Sequence, residues 1–372
     1  MKPIIVVSAH RCFLPYGVAA IIKECLLSLA QNYADKYQIK ALVYKKELYP
    51  PLPQIEYIEF PLARKNVFYR FYYEYVYFKK LSKKWQPYLW LSLQDTTPNV
   101  QVNIRAVYFH NPLPAEKFSP NYFKKSVRFF LLHFLYRYIY LTGISKNNWI
   151  AVQQVSLTEI LVKKFSIAND KILIFPPKIA PMLHNTSSPF KKDVKETFIF
   201  IYPAAAFPHK NFEVIINAVK FLNEKNVRNF EVIFTTSGEE NRYARQLKKR
   251  NNNDNIHFKS YIPETEFNDL YQATDCLLFP SLAETWGLPL SEFIQMNKPI
   301  IAADLPYAHE TTSGYGKIKF FNPQNAEQLA GYMLQAMEDS LVFDKNIVVP
   351  NDKYETVHSW QQLFDKIFSS NS

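Results

Sequence analysis

The chain has 372 residues, of which 48% are hydrophobic and 21% charged, and a formal net charge of +11. That length suits two domains, and that balance allows buried cores and excludes a disordered chain. The three cysteines, Cys12, Cys25 and Cys276, are scattered among apolar neighbours, which suits a reducing compartment and argues against a disulfide framework or a zinc site.

In chain order, short apolar runs at 4–7, 41–44, 88–91, 106–109, 150–152 and 172–175 read as strands, the first being too short for a signal peptide. A second series follows at 198–202, 232–235, 256–258, 276–279, 300–302 and 318–320. Between them lie segments of helical periodicity, among them 212–222, 242–250, 266–273 and 326–337. Alternating strands and helices predict α/β architecture with doubly wound parallel sheets, whose ligands sit beyond the carboxyl ends of the strands. The proline-rich, aperiodic stretch 176–197 reads as a linker, giving a first domain over 1–180 and a second over 190–355. Two such domains leave a cleft where a ligand is expected.

Aromatic residues make up 16% of the chain. They concentrate at 67–78 (VFYRFYYEYVYF), followed by Lys79, Lys80, Lys83 and Lys84, and at 123–140 (FKKSVRFFLLHFLYRYIY). Arg70 and Glu74 interrupt the first run, and Arg128, His133 and Arg137 the second, so neither predicts a transmembrane span. Such helices can pack in the first domain's core. They can also present a face to an anionic membrane, over 64–85 and 122–141, with aromatics at headgroup level and lysines on phosphates. Residues 1–185 carry 25 Lys/Arg against 10 Asp/Glu, whereas 186–372 carry 19 against 23. A basic half joined to a mildly acidic one suits an anionic partner for the first.

The most informative stretch is FPSLAETWGLPLSEF (279–293). A helix is expected to start near Pro289, because proline is favoured in the first turn. Glu284 then lies on the loop and Glu292 on the first turn, with the amides of Gly287 and Leu288 at the positive helix end, where a phosphate binds well. Both carboxylates can accept hydrogen bonds from sugar hydroxyls. This stretch resembles the glutamate–seven residues–glutamate motif of the retaining GT-B glycosyltransferases of the large family 4. Three further segments resemble that family in the right order: YPAAAFPHKN (202–211), IPETEFNDLYQATDCLLFPS (262–281) and KPIIAADLPYAHE (298–310).

The resemblance implies a GT-B fold: two Rossmann-like domains facing across a cleft, with a C-terminal helix over 356–372, carrying Trp360, that crosses back to the first domain. It implies that Lys210 neutralises the diphosphate of a nucleotide-sugar donor, that Glu284 holds hydroxyls of the transferred sugar, and that Glu292 binds the ribose. The nucleobase is expected near Lys259, Ser260 and Tyr261. Read as residues alone, Lys210 can also be a solvated lysine at a helix start, and Glu292 a carboxylate serving the helix dipole. In the first domain, Gly17 follows the first strand, where the family has its glycine-containing loop. His110, in VYFHNPLP (107–114), looks like the family's interdomain histidine near donor sugar or acceptor, and can otherwise cap the turn before Pro112. Asp95 and Gln153 occupy similar strand ends, Asp95 as an acceptor base or a turn residue. The sequence departs from the family at Ala205, where arginine is usual, and at Ser260, where glycine is usual; Arg11 is a candidate for the second cation.

The expected reaction is retaining transfer of a sugar from a nucleoside diphosphate to an acceptor hydroxyl, with no cofactor or metal, since protein cations can replace magnesium on a diphosphate. The expected acceptor is a glycan or a polyprenyl-diphosphate-linked glycan of capsule, O-antigen or exopolysaccharide synthesis, with a lean to mannose as the sugar. The expected setting is the cytoplasm, peripheral on the inner face of the cell membrane. Nucleic acid is not expected as a partner, for no helix-turn-helix, zinc or RNA-binding signature is present. The alternative, motivated by Ala205, is an inactive GT-B homologue acting as a partner subunit.

Overall fold

The computed structural model describes residues 2–12, 18–112, 143–182, 197–260, 262, 264–347 and 350–369, and besides these residues 127, 130, 131 and 134. The chain divides into two compact units. The first holds the described residues up to position 112, residue 134, those of 143–178, and 351–369; the second holds residues 127, 130 and 131 and those of 179–350.

The first unit's sheet contains β1 (Ile4–Ala9), β2 (Gln38–Val43), β3 (Ile55–Glu59), β4 (Leu89–Ser92), β5 (Ile104–Phe109), β6 (Trp149–Val152), β7 (Ile172–Ile174) and, from the chain's end, β14 (Glu355–Thr356). The order is β3-β2-β1-β4-β5-β6-β7-β14, every pair parallel. The second unit's sheet contains β8 (Phe198–Tyr202), β9 (Phe230–Phe234), β10 (Ile256–Phe258), β11 (Cys276–Phe279), β12 (Ile300–Ala303) and β13 (Ile318–Phe321), in the order β10-β9-β8-β11-β12-β13, also all parallel. Each sheet reverses its strand order once, between β1 and β4 and between β8 and β11, which is the doubly wound pattern.

Strands covered on both faces need apolar residues at every position rather than alternation. CLLF of β11 and IIAA of β12 satisfy this and are wholly buried. Two strands were not expected. β3 reads IEYIE and sits at the sheet's edge, so its outward Glu56 and Glu59 break the apolar run. β14 is two residues long and carries no pattern of its own.

In the first unit, helices α1 (Val18–Asn32), α2 (Val67–Phe71), α3 (Phe78–Trp85) and α4 (Val155–Phe165) flank the sheet's strands in sequence. The aromatic run 67–78 becomes α2, a π-wound turn over Tyr72–Tyr77, and the start of α3. Its inward face buries Arg70, Glu74, Phe78 and Ser82, while Phe68 is 83% exposed and Phe71, Tyr72 and Val76 also face solvent. The second aromatic segment, 122–141, lies outside the described residues apart from the four isolated positions. Among the described residues no helix is long and apolar enough to cross a membrane.

The second unit contributes α5 (Phe212–Glu224), α6 (Arg242–Arg250), α7 (Glu264–Ala273), α8 (Leu288–Gln295), α9 (Pro306–Thr311) and α10 (Ala326–Met337). The last helix, α11 (Trp360–Ser369), packs on the first unit, where Trp360, Leu363, Phe364 and Ile367 join a core that includes Leu29 and Tyr33.

Candidate functional site

In the second unit the loops leaving β8 and β11 flank the point where strand order reverses, the place where open α/β sheets bind ligands. The β8 loop ends in a 3-10 turn over Pro208–Lys210 and then Asn211, whose φ of 57° lies in the left-handed region. Asparagine tolerates that conformation better than most residues. Its Nδ2 donates to the carbonyls of Pro280 at 3.3 Å and Pro323 at 2.8 Å. The Leu282 amide donates to the His209 carbonyl at 2.8 Å, and the Tyr202 hydroxyl to the Lys210 carbonyl at 2.7 Å. These bonds stitch the β8 and β11 loops together independently of any charge.

On that frame the Lys210 ammonium donates to Glu284 Oε1 at 2.5 Å, with the two side chains 18% and 12% exposed. The buried Ser281 hydroxyl donates to the same oxygen at 2.6 Å, and Tyr307 holds Ser281 by donating to its carbonyl at 2.7 Å. Gly287 has a φ of 84°, and a Cβ there would lie 3.1 Å from Leu290 Cδ1 and 3.2 Å from Phe279 Cε1. Both the backbone and the space therefore require glycine. It starts α8 at Leu288, with Pro289 in the first turn and no side chain capping the N-terminus.

Glu292 is not on the first turn of α8, contrary to expectation; the first turn holds no acidic residue. The helix begins one residue before Pro289, so Glu292 comes a full turn after Leu288, beyond the reach of the terminal dipole. Burial raises its carboxyl above the ordinary value, and the Tyr271 hydroxyl works in the opposite direction. Lys259 and Ser260 are exposed at the end of β10 and line a cavity of about 950 Å³ with Glu231, His257, Phe258 and Glu266. Lys210, Glu284 and Glu292 do not line it. Tyr261 lies outside the described residues, as does Gly17.

The first unit has its own cluster at the ends of β1, β4 and β5. Asp95 adopts a φ of 62°, and its Oδ1 accepts the His110 amide at 2.5 Å while its Oδ2 lies 3.4 Å from His110 Nε2. Burial raises the Asp95 carboxyl, opposed by His110 and Arg70. Arg70 Nε donates to Glu74 Oε1 at 3.0 Å, and its Nη2 to Thr96 Oγ1 at 3.3 Å. His10 Nε2 stands 3.6 Å from the same Glu74 oxygen. Gln153 is buried and donates to the Tyr108 hydroxyl at 3.0 Å.

The family model described as glycosyl transferases group 1 matches residues 185–348. Residues 185–348 thus resemble a group 1 glycosyltransferase domain. The chain is similar to the O-antigen chain mannosyltransferase RfbU of Salmonella typhimurium, 23% identical over 229 residues that cover 60% of this chain and 61% of that protein. It is also similar to the O-antigen chain mannosyltransferase B of Escherichia coli, 21% identical over 200 residues, or 53% and 50% of the two chains. The matched regions thus span only about half to three-fifths of these curated relatives. Among solved structures, WaaG, a glycosyltransferase involved in lipopolysaccharide biosynthesis, matches with a TM-score of 0.64 at 15% identity over 90% of both chains. Anabaena HepE in complex with UDP-glucose matches with 0.65 at 13% identity over 99% of both. That likeness shows a shared GT-B fold.

Within the matched residues, the structure brings Lys210 onto Glu284, 74 positions later, and sets Gly287 and Leu288 at the start of the following helix. Glu292 stands one turn along that helix, and Lys259 and Ser260 follow β10, a strand two places from β8. Ala205 is exposed in the β8 loop. Sequence reasoning missed Ser281 as a partner of Glu284, and it missed the Arg70–Glu74 pair. The available signal for the pair was its four-residue spacing inside an aromatic run, which puts both groups on one helix face.

Proposed function

We propose that the chain is a retaining glycosyltransferase of bacterial surface-polysaccharide assembly, moving a sugar from a nucleoside diphosphate to a hydroxyl of a glycan or polyprenyl-diphosphate-linked acceptor. The observation that carries this reading is the Lys210–Glu284 pair at the strand reversal of a group 1 domain. It offers an ammonium for a diphosphate and a carboxylate for sugar hydroxyls on one backbone frame. As the bond from the anomeric carbon to the diphosphate oxygen breaks, its electron pair goes to the diphosphate. Lys210 and the amides at Gly287 and Leu288 stabilise that charge. The acceptor oxygen bonds from the same face, and its proton passes to the departing phosphate. Glu292 takes the ribose, and Lys259, Ser260 and Tyr261 the base. Asp95 and His110 are the first unit's candidates for acceptor contact. In this scheme Lys210 takes the place of a divalent cation, and with alanine at position 205 it carries that burden without an arginine beside it.

The names of the relatives support an O-antigen or lipopolysaccharide setting and make mannose the first sugar to test. The outward aromatics Phe68, Phe71 and Tyr72, followed by exposed Lys79, Lys80, Lys83 and Lys84, support peripheral attachment to an anionic membrane from the cytoplasmic side. The test is a thermal-shift panel of nucleoside diphosphates and their sugars, since a ligand at a hundred times its Kd stabilises by about 2.7 kcal/mol. One nucleotide family is expected to raise the Tm, with sugar transfer lost in Glu284→Ala; a flat panel would overturn the reading.

A further inference from the structure

Asp95 lies in the loop 93–103, which the helical run from Val67 to Trp85 grips along its length. Arg70, Glu74, Phe78 and Ser82 recur every four residues on the run's buried face. Four residues carry a straight α-helix about 40° past a full turn, so such a row drifts round it. The wider π-wound turn over Tyr72–Tyr77 takes back part of that drift. Three members of the row reach the loop. Arg70 Nη2 donates to Thr96 Oγ1 at 3.3 Å, the Asn99 amide to the Glu74 carbonyl at 2.9 Å, and the Gln101 amide to Ser82 Oγ at 2.8 Å. Ser92 Oγ adds a bond to the Thr96 carbonyl at 2.7 Å. Between these points Asp95 keeps a φ of 62°, a left-handed conformation that a residue other than glycine holds only where its surroundings over-determine it.

We infer that Arg70 and Glu74 are positioning residues for Asp95, Arg70 gripping the loop that carries it and Glu74 setting how much of the guanidinium's charge is left for it. The inference rests on the reading of Asp95 as an acceptor contact and adds what keeps it competent. An ionised carboxyl can only accept a hydrogen bond from a hydroxyl, whereas a protonated one also donates. The titratable groups around Asp95 come from three elements. Tyr108 ends β5 with His110 just beyond it, Arg70 and Glu74 belong to the run, and His10, followed by Arg11, comes just after β1. Burial favours the uncharged form of Asp95, and His110 first, then Arg70, oppose it. The guanidinium is itself shared, since its Nε donates to Glu74 Oε1 at 3.0 Å and Glu74 stays charged down to about 2. His10 Nε2 stands 3.6 Å from the same oxygen, and burial lowers its imidazole below 6.5, so it is uncharged at neutral pH. Removing the charge of Glu74 therefore holds Asp95 more firmly as a carboxylate, and removing the guanidinium holds it less firmly. Side chains that only filled space would not give opposite signs.

The experiment titrates Asp95 directly, by NMR of the purified full chain carrying carbon-13 at its aspartate side-chain carboxyls. The Asp95 signal is the one missing from Asp95→Asn, and no substrate is needed. Glu74→Gln keeps the shape and removes a like charge. It is expected to move the Asp95 midpoint down by about one pH unit. Arg70→Met combined with Glu74→Leu is expected to move it up by about half a pH unit, because the guanidinium no longer opposes burial. In that double variant the amides of residues 95–97 are expected to exchange with solvent faster, the bond to Thr96 being gone. Arg70→Lys keeps a cation beside Glu74 and is expected to bring the midpoint back toward that of the unaltered protein.

A midpoint that rises or stays put in Glu74→Gln, with that variant's Tm intact, overturns the inference. If Glu74→Gln lowers the Tm, the double variant decides, since it leaves neither member of the pair buried without the other. A midpoint unmoved or lowered there, or amide exchange at 95–97 unchanged, overturns the inference as well. The acceptor reading fails separately: sugar transfer to a polyprenyl-diphosphate-linked glycan that survives Asp95→Asn at full rate removes it, whatever the titration shows.

Discussion

A carboxylate is held inside the first unit at Glu74 because Arg70 stands one helical turn earlier. Burial alone pushes the Glu74 carboxyl up; Arg70 first, then His10 and Thr96, reverse that and hold it at about 2. The folded value lies below the ordinary 4.5, so this contribution is complete above about pH 4.5 and is lost as the pH falls toward 2. A shift of that size corresponds to about 3 kcal/mol. His10 adds a loss in the same direction, since burial lowers its imidazole below 6.5 and the unfolded chain takes up the proton first as acid is added. Denaturant unfolding of the chain is therefore expected to show stability declining from about pH 6.5 downward. Glu74→Ala is expected to cost about 3–5 kcal/mol by removing the carboxylate that balances a buried guanidinium, and Arg70→Met combined with Glu74→Leu far less, with the loss below about pH 4.5 diminished. At Gly287 the constraint is steric. Gly287→Ala forces a Cβ against Leu290 and Phe279 at a positive φ and is expected to cost about 1–3 kcal/mol and lower the Tm.

The helical run from Val67 to Trp85 shows how one element serves two surroundings. Its π-wound turn keeps Arg70, Glu74, Phe78 and Ser82 on the inward face, Tyr73 and Tyr77 pack at the core's margin, and Phe68, Phe71 and Tyr72 point outward, with four exposed lysines following. The core reading describes the inward face, and the outward face is the one that the membrane proposal concerns. Lys83→Ala with Lys84→Ala is expected to cut partitioning onto anionic vesicles about thirtyfold, at about 1 kcal/mol per lysine, with no change in Tm because both are exposed. Flotation that ignores lipid charge would remove the membrane role.

At the scale of the molecule, the chain ends where it began. β14 adds to the first sheet beside β7, pairing Glu355 with Leu173, and α11 then packs Trp360 against both Tyr108 and Phe175, with ring centroids 5.6 Å and 5.0 Å away. Trp360, Leu363, Phe364 and Ile367 are thus part of the first unit's core, and Trp360→Ala is expected to cost it about 3–5 kcal/mol. Limited proteolysis or hydrogen exchange on that variant should show the loss in the strands of the first sheet and leave β8 to β13 protected as before.

The alternation of strand and helix was legible because burial on both faces of a parallel sheet demands unbroken apolar runs, and those runs are local. CLLF and IIAA announce themselves, whereas β3, at an edge with two outward glutamates, does not. Lys210 and Glu284 stood out in the sequence as residue types suited to a diphosphate and a sugar. Their meeting did not, because it depends on β8 and β11 becoming neighbours and on Asn211, Tyr202 and Ser281 joining the two loops. Arg70 and Glu74 read as interruptions of an aromatic helix until the fold placed both of them inside it. The sequence by itself determined which segments form and which side chains carry charge. Which loop faces which, and which charges share a low-dielectric environment, came only from strand order, since that order is set by packing between residues far apart in the chain.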